Sequence, residues 1–337
     1  MDTLDTMDDR AREAAEACRR MLGADVLGWE DPGGQKRKST RLQLEDRSVI
    51  ATRRGTQGRA DLEVNVLRML KAEGADVPAV LGFDGRWLIQ EDFGGERLSR
   101  VLRRVGKDEA EALQDAALAS LDNIHRAAIR ARLAPLCFPI GQKPGWIAGL
   151  AGTPGRLGVF LGLPAPAPDL AAIERTLVRT PVSFVKWDAR PPNAIAIADG
   201  RVAWFDWEHC GTRNRLDDIV WFLGDESIVD RPKAETRLLN RWVPRFDEGG
   251  YPTGPAQYVM TLGALHCAVR LSIAVSNRAR ELRPDDWRES LTDGRIETLS
   301  DSALRIARRG ARWAMRSEAA GPLAEWFLAV RRRFSAA

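Results

Sequence analysis

The sequence predicts an α+β protein in two lobes, a small β-rich unit over residues 1–95 and a larger, mainly helical unit over 96–337. Three observations carry that expectation. Residues 26–95 read as short strand-like runs cut by turns, with one helical segment inserted. From residue 96 onward, long stretches repeat their apolar residues at helical spacing. The length, 337 residues, suits one large or two modest domains and is ample to bury a core.

In chain order, the first 23 residues form an amphipathic leading helix. DPGG marks a turn, and EDR between RLQL and SVIAT marks a hairpin. ADLEVNVLRMLKAEG carries one apolar stripe and stops at Gly74, a helix. VPAVLGFDGRWLIQEDFGG reads as two strands around Asp84-Gly85. LSRVLRRV and DEAEALQDAALASLDNIHRAA continue as helices. The Gly/Pro-rich segment 139–170 is too long for a plain connection, so it is functional or hides short helices. VSFVKWD and NAIAIADGRVAWFDW are strand-like runs, the latter turning at Asp199-Gly200. Beyond about 216 the pattern is helical, with a break near 245–255.

Composition excludes several classes. Hydrophobic content of 44% and charged content of 29% are those of a soluble globular protein. A pI near 9.0 comes from 51 basic residues interspersed with 47 acidic ones, a mixed surface that does not point to nucleic acid. No uninterrupted apolar run reaches the roughly 18 residues of a membrane span, so no stable membrane insertion is expected. The acidic N-terminus has no apolar core of a secretion signal. Cys18, Cys137, Cys210 and Cys267 are scattered, which suits a reducing cytoplasm better than a disulfide framework or zinc site. A monomer or homodimer is expected.

The chemistry concentrates in FVKWDARPPN and AWFDWEHCG. A carboxylate at a strand end (Asp188), a carboxamide five residues on (Asn193) and a second carboxylate between aromatics (Asp206) are what metal-assisted phosphoryl transfer needs. One acid faces the incoming hydroxyl, while an amide and a carboxylate offer oxygens to a hard cation such as Mg²⁺. Pro191 and Pro192 fix φ and are expected to keep the loop open and extended. His125 and His266, within apolar helical patterns, read as satisfied core groups. RIARRGARWAMR over 305–316 reads as a solvated helix face, with an acidic partner or membrane surface as the sharper alternative.

The Asp-x-x-x-x-Asn spacing, the following hairpin and aromatic-Asp-x-Glu resemble the aminoglycoside phosphotransferase and choline-kinase-like enzymes, relatives of protein kinases. FDWEHCGTRNRLDDIVWFL continues the likeness, and six such stretches occur in the family's order over about residues 20–225. The resemblance implies a protein-kinase-like two-lobe fold and ATP-dependent transfer of the γ-phosphate to a hydroxyl of a small molecule of aminoglycoside, amino-sugar, sugar or amino-alcohol type. It implies Asp188 as catalytic base, Arg190 as a cation at the γ-phosphate, Asn193 and Asp206 as Mg²⁺ ligands, Glu208 as an auxiliary acid and Asp218 as a brace for the catalytic loop. For ATP it implies Gly33 and Gly34 in the nucleotide loop, Arg53 paired with Glu63 at the phosphates, and the backbone of Gln90, Glu91 and Phe93 at adenine. Lys186 stands where the family carries His, as a cation beside Asp188. The acceptor would lie among the catalytic loop, segment 139–170 and the helices after 230. A kinase-like scaffold or regulator with weak or no turnover is the rival class. Protein kinase activity is disfavoured, because no activation segment or Ala-Pro-Glu lies between 208 and 220.

Overall fold

Helix α1 (Asp9–Leu22) starts where Asp8 caps it, its carboxylate accepting the Ala11 N–H at 2.7 Å, and ends because Gly23 turns left-handed at φ 66°. The computed structural model describes residues 8–32, 38–178, 182–282 and 300–335. The buried face of α1 (Ala11, Ala14, Ala15, Cys18) is small, so the helix lies close on a sheet. That sheet is antiparallel, in the order β1 (Gly28–Glu30), β2 (Ser39–Gln43), β3 (Ser48–Arg53), β5 (Trp87–Glu91), β4 (Val80–Phe83). Leu42, Val49, Ala51, Trp87 and Ile89 point from it toward α1. At the β4–β5 turn the Asp84 carboxylate accepts the N–H groups of Arg86 and Trp87, fixing the hairpin read from the sequence.

Helix α2 (Gln57–Ala72) sends Val66, Leu67 and Leu70 into the larger core that the helical region builds. β6 (Glu96–Arg97) leads into α3 (Leu98–Arg104) and α4 (Lys107–Arg130). The Gly/Pro-rich segment does hide helices: α5 (Trp146–Ala151) and α6 (Thr153–Phe160), followed by α7 (Leu170–Thr176). β7 (Ser183–Val185) pairs with β10 (Gly211–Arg213), while β8 (Ala194–Ala196) sits between β6 and β9 (Val202–Trp204). The segment 186–193 is thus the crossing from one small ladder to the other. Helices α8 (Leu216–Leu223), α9 (Pro232–Phe246), α10 (Pro255–Leu282), α11 (Asp301–Met315) and α12 (Leu323–Phe334) follow.

One sequence expectation is sharpened here and one is corrected. α10 contains a stretch, Pro255–Asn277, with mean hydropathy 1.5 and length enough to cross a membrane, yet 72% of its apolar window is buried inside the fold. It is a core helix, its few polar residues spread too thinly to break the run. The basic segment 305–316 is no solvated face either. Arg309 is fully buried and donates to Glu235 and to the carbonyls of Asp225 and Ile228, and Arg312 pairs with Glu235 and Asp230. Acids far away in sequence claim these arginines. All four cysteines are buried and free.

Gly263 on α10 is required by close approach, because a Cβ there would lie 1.7 Å from Cε3 of Trp313 on α11. Gly263→Ala is therefore expected to lower stability by about 1–3 kcal/mol through overpacking. Gly149 on α5, whose added Cβ meets nothing within 4 Å, is expected to tolerate Ala or gain up to about 1 kcal/mol. Urea midpoints of the two variants check this.

Candidate active site

The segment after β7 is held by one buried carboxylate. Asp218, in the first turn of α8, accepts the backbone N–H of Lys186 and of Trp187, each at 2.9 Å, and lies 2.8 Å from Nε2 of His125. It braces the loop, and His125 is the buried core group expected, though only Nε2 is partnered and Nδ1 is left without a hydrogen bond. The bracing matters because Trp187 and Asp188 both adopt left-handed backbone, φ 53° and 49°. Asp206 does so too, at φ 60°. Non-glycine residues in this region cost about 1–3 kcal/mol each and collect at functional sites.

Asp188 and Asn193 meet directly. The Asn193 amide nitrogen donates to Oδ2 of Asp188 at 2.8 Å and to its carbonyl at 3.0 Å. That contact depends on a short 3₁₀ turn, Pro191–Asn193, which folds the amide back. The expected open, extended loop is thus corrected: proline at the start of a turn has a suitable φ and forfeits no needed N–H. With its nitrogen spent on Asp188, Asn193 keeps its amide oxygen as an acceptor. The Phe205 N–H donates to the Asn193 carbonyl at 3.1 Å, tying the loop to the Asp206 segment.

Lys186 is buried completely; it lies close enough to Asp188 to feel its charge, as expected, but its hydrogen bond goes elsewhere. Its ammonium donates to the Asp206 carbonyl at 3.2 Å and lies over the rings of Trp207 and Trp204 at 5.2 and 5.6 Å. Burial pulls its pKa down, while Asp188, Asp206 and Asp218 pull it up. The long side chain passes the strand end and reaches the neighbouring loop, locking the left-handed turn of Asp206.

The strand cation is Arg54, not Arg53. Side chains alternate along β3, so Val49, Ala51 and Arg53 share the α1 face, where Arg53 is half exposed and 4.0 Å from Glu13. Arg54 falls on the other face, buried, 2.5 Å from Glu63 and 3.7 and 3.6 Å from Asp206 and Glu208. Glu63 also accepts the Trp207 N–H at 3.2 Å, so α2 is joined to the Asp206 segment through one carboxylate. Burial raises the pKa of Glu63 and Arg54 opposes that rise.

Arg190 is tied into an ion-pair network. Asp225 and Glu226 bind its guanidinium at 2.5 and 2.9 Å, and Glu226 also holds Arg270. This cation anchors the loop to the segment after α8. Gln90 and Glu91 end β5; Gln90 is buried with its amide nitrogen unpartnered, and Glu91 accepts from Lys71 and from the Ala79 N–H. Phe93 is half-buried just beyond. Gly33 and Gly34 lie outside the described residues.

The oxygens of Asn193 and Asp206 fit a hard cation that completes its shell with water and phosphate oxygens. Among the described residues no group of three or more His, Cys, Asp or Glu side chains forms a metal cluster. The sequence reading places Arg53 opposite Glu63, with Thr52 or Arg54 as the one-residue alternatives, and it misses the Arg190–Glu226–Arg270 network. For Arg54 a signal existed in the alternation of Val49, Ala51 and Arg53.

No family model and no curated protein matches the sequence. Solved structures do match in fold. Spectinomycin phosphotransferase, in complex with ADP and spectinomycin, is 11% identical with a TM-score of 0.56, covering 89% of this chain and 98% of that one. The macrolide 2′-phosphotransferase from Brachybacterium faecium is 13% identical at 0.52, covering 83% and 96%. An aminoglycoside 3′-phosphotransferase of type VIII is 19% identical at 0.51, covering 76% and 99%. The chain has the protein-kinase-like fold that these phosphotransferases share, with its β-sheet region first and its helical region after.

Removing Arg54 leaves Glu63 buried without its counter-charge. Arg54→Met is expected to cost about 3 kcal/mol, and Arg53→Met less than about 0.5 kcal/mol. The pH dependence has a definite sign. A carboxyl whose folded pKa is raised stabilises fully below its unfolded value and loses that contribution as pH rises through the folded one. Arg54→Met should therefore destabilise more steeply than wild type between about pH 5 and 8, read by chemical denaturation.

Proposed function

We propose that the chain transfers the γ-phosphate of ATP to a hydroxyl group of a small molecule. The observation that carries this reading is the pairing of Asp188 with Asn193 beside Asp206, with both acids in left-handed backbone and the Arg54–Glu63 pair adjoining them. The fold shared with small-molecule phosphotransferases supports it. A division into lobes near residue 95, with nucleotide between them, belongs to the same proposal.

In this reading Asp188 orients the acceptor hydroxyl and takes its proton as the oxygen attacks phosphorus. The Asn193 amide keeps the carboxylate in one rotamer by donating to it, so the acid does not turn away from the incoming oxygen. Asn193 Oδ1 and the Asp206 carboxylate would hold Mg²⁺, which when bound neutralises charge on the β- and γ-phosphates. Arg54 supplies fixed positive charge in the same region. Arg suits a planar, bidentate approach to phosphate oxygens, and Glu63 holds it in place. Lys186, by gripping the Asp206 carbonyl, keeps that acid turned toward Asn193's loop. Adenine would meet the backbone near Gln90–Phe93.

ATP turnover measured across amino sugars, sugars and amino alcohols tests the proposal. Asp188→Asn is nearly isosteric and is expected to lower kcat at least about 100-fold with the nucleotide KM changed little, since proton acceptance is lost and binding is kept. Equal turnover in wild type and variant would remove Asp188 from its assigned role.

A further inference from the structure

Trp187 stands immediately before Asp188, and its ring does not turn into the core. It begins a run of aromatic contacts outside the machinery described so far. The Trp187 ring meets Trp146 of α5 at 6.4 Å between centroids and Trp221 of α8 at 5.1 Å, and Trp221 meets His266 of α10 at 4.7 Å. The three tryptophans are all half-buried, leaving apolar surface open. They come from the catalytic segment, the Gly/Pro-rich segment and α8, with His266 on a fourth element behind them. Elements this far apart in sequence meet here around the residue that begins the phosphoryl-transfer loop.

Charge narrows what this wall would accept. Arg213 already lies 4.2 Å over the Trp146 ring and is paired with Asp217. At the other end, Arg190 and Arg270 are matched by Asp225 and Glu226. His266 is buried, its Nε2 has no hydrogen-bond partner, and burial beside Arg270 and Arg190 pushes its pKa down to about 3, so it stays neutral. A polycationic ligand needs several unpaired carboxylates, and of the acids flanking these tryptophans Asp217, Asp225 and Glu226 are already paired with arginines, which leaves Asp188. A single cation seeking an aromatic face finds that of Trp146 taken by a guanidinium.

We propose that Trp146, Trp187 and Trp221 form the acceptor subsite, and that they select an uncharged, hydroxylated ring compound whose C–H-rich or aromatic face lies on the indoles while a hydroxyl is presented to Asp188. The inference rests on the phosphotransferase reading and deepens it by naming the acceptor class.

The test compares kcat/KM at saturating Mg-ATP for p-nitrophenyl β-D-glucoside, choline and kanamycin. The uncharged glycoside is expected to exceed the other two by at least about tenfold. Trp146→Leu and Trp221→Leu, two variants so that one misfolded protein does not decide the matter, should each raise its KM about tenfold with kcat changed less than about twofold. The glycoside should also quench the intrinsic tryptophan fluorescence of wild type more than that of either variant. Preference for kanamycin or choline, unchanged KM in both folded variants, or no turnover of the glycoside by a protein that Mg-ATP still stabilises would each overturn the subsite. A protein that Mg-ATP does not stabilise at all would instead overturn the phosphotransferase reading beneath it.

Discussion

Asp218 is the constraint on which the rest of the site depends. Two consecutive residues in left-handed backbone are costly, and only over-determination by the surroundings keeps them there. Asp218 supplies it with two backbone bonds and the His125 contact, from a position where the N-terminus of α8 favours its charge. From that fixed point three side chains take separate directions. Lys186 passes between Trp204 and Trp207 to the Asp206 carbonyl, Trp187 enters the indole cluster, and Asp188 meets Asn193.

The other elements attach through charges buried in pairs. Glu63 bonds Arg54 and the Trp207 N–H together, so one carboxylate joins α2, the end of β3 and the Asp206 segment. On the far side, Arg190 grips Asp225, whose carbonyl accepts from Arg309 on α11. Such pairs contribute little net stability, because desolvation offsets most of their attraction, but breaking one is expensive. Their effect is positional: α11 is linked to the Asp188 segment through two guanidinium groups.

Much of this was legible in residues 184–218. The spacing from Asp188 to Asn193 and Asp206 announced a loop and a hairpin, the family resemblance implied the brace at Asp218, and the chain carries all three, the loop as a 3₁₀ turn. Legibility failed where the outcome depends on partners remote in sequence. Whether Arg53 or Arg54 faces Glu63 follows from which sheet face α1 covers, a tertiary fact that Val49 and Ala51 only hint at. The arginines of α11 look solvated until Asp230 and Glu235 arrive from α9 and its approach. Pro191 and Pro192 were read as forbidding a turn that they in fact start. The indole cluster draws its rings from residues 146, 187 and 221, with no spacing to betray it.

Thermal denaturation with ATP tests most directly whether Arg54, Asn193 and Asp206 together receive a magnesium nucleotide, as proposed. At about 100 times Kd, Mg-ATP should add about 2.7 kcal/mol to the native state, roughly 5 °C in Tm for a chain of this size. The shift should shrink when the metal is chelated and vanish in Asp206→Asn. A wild-type Tm unmoved by millimolar Mg-ATP would contradict the account.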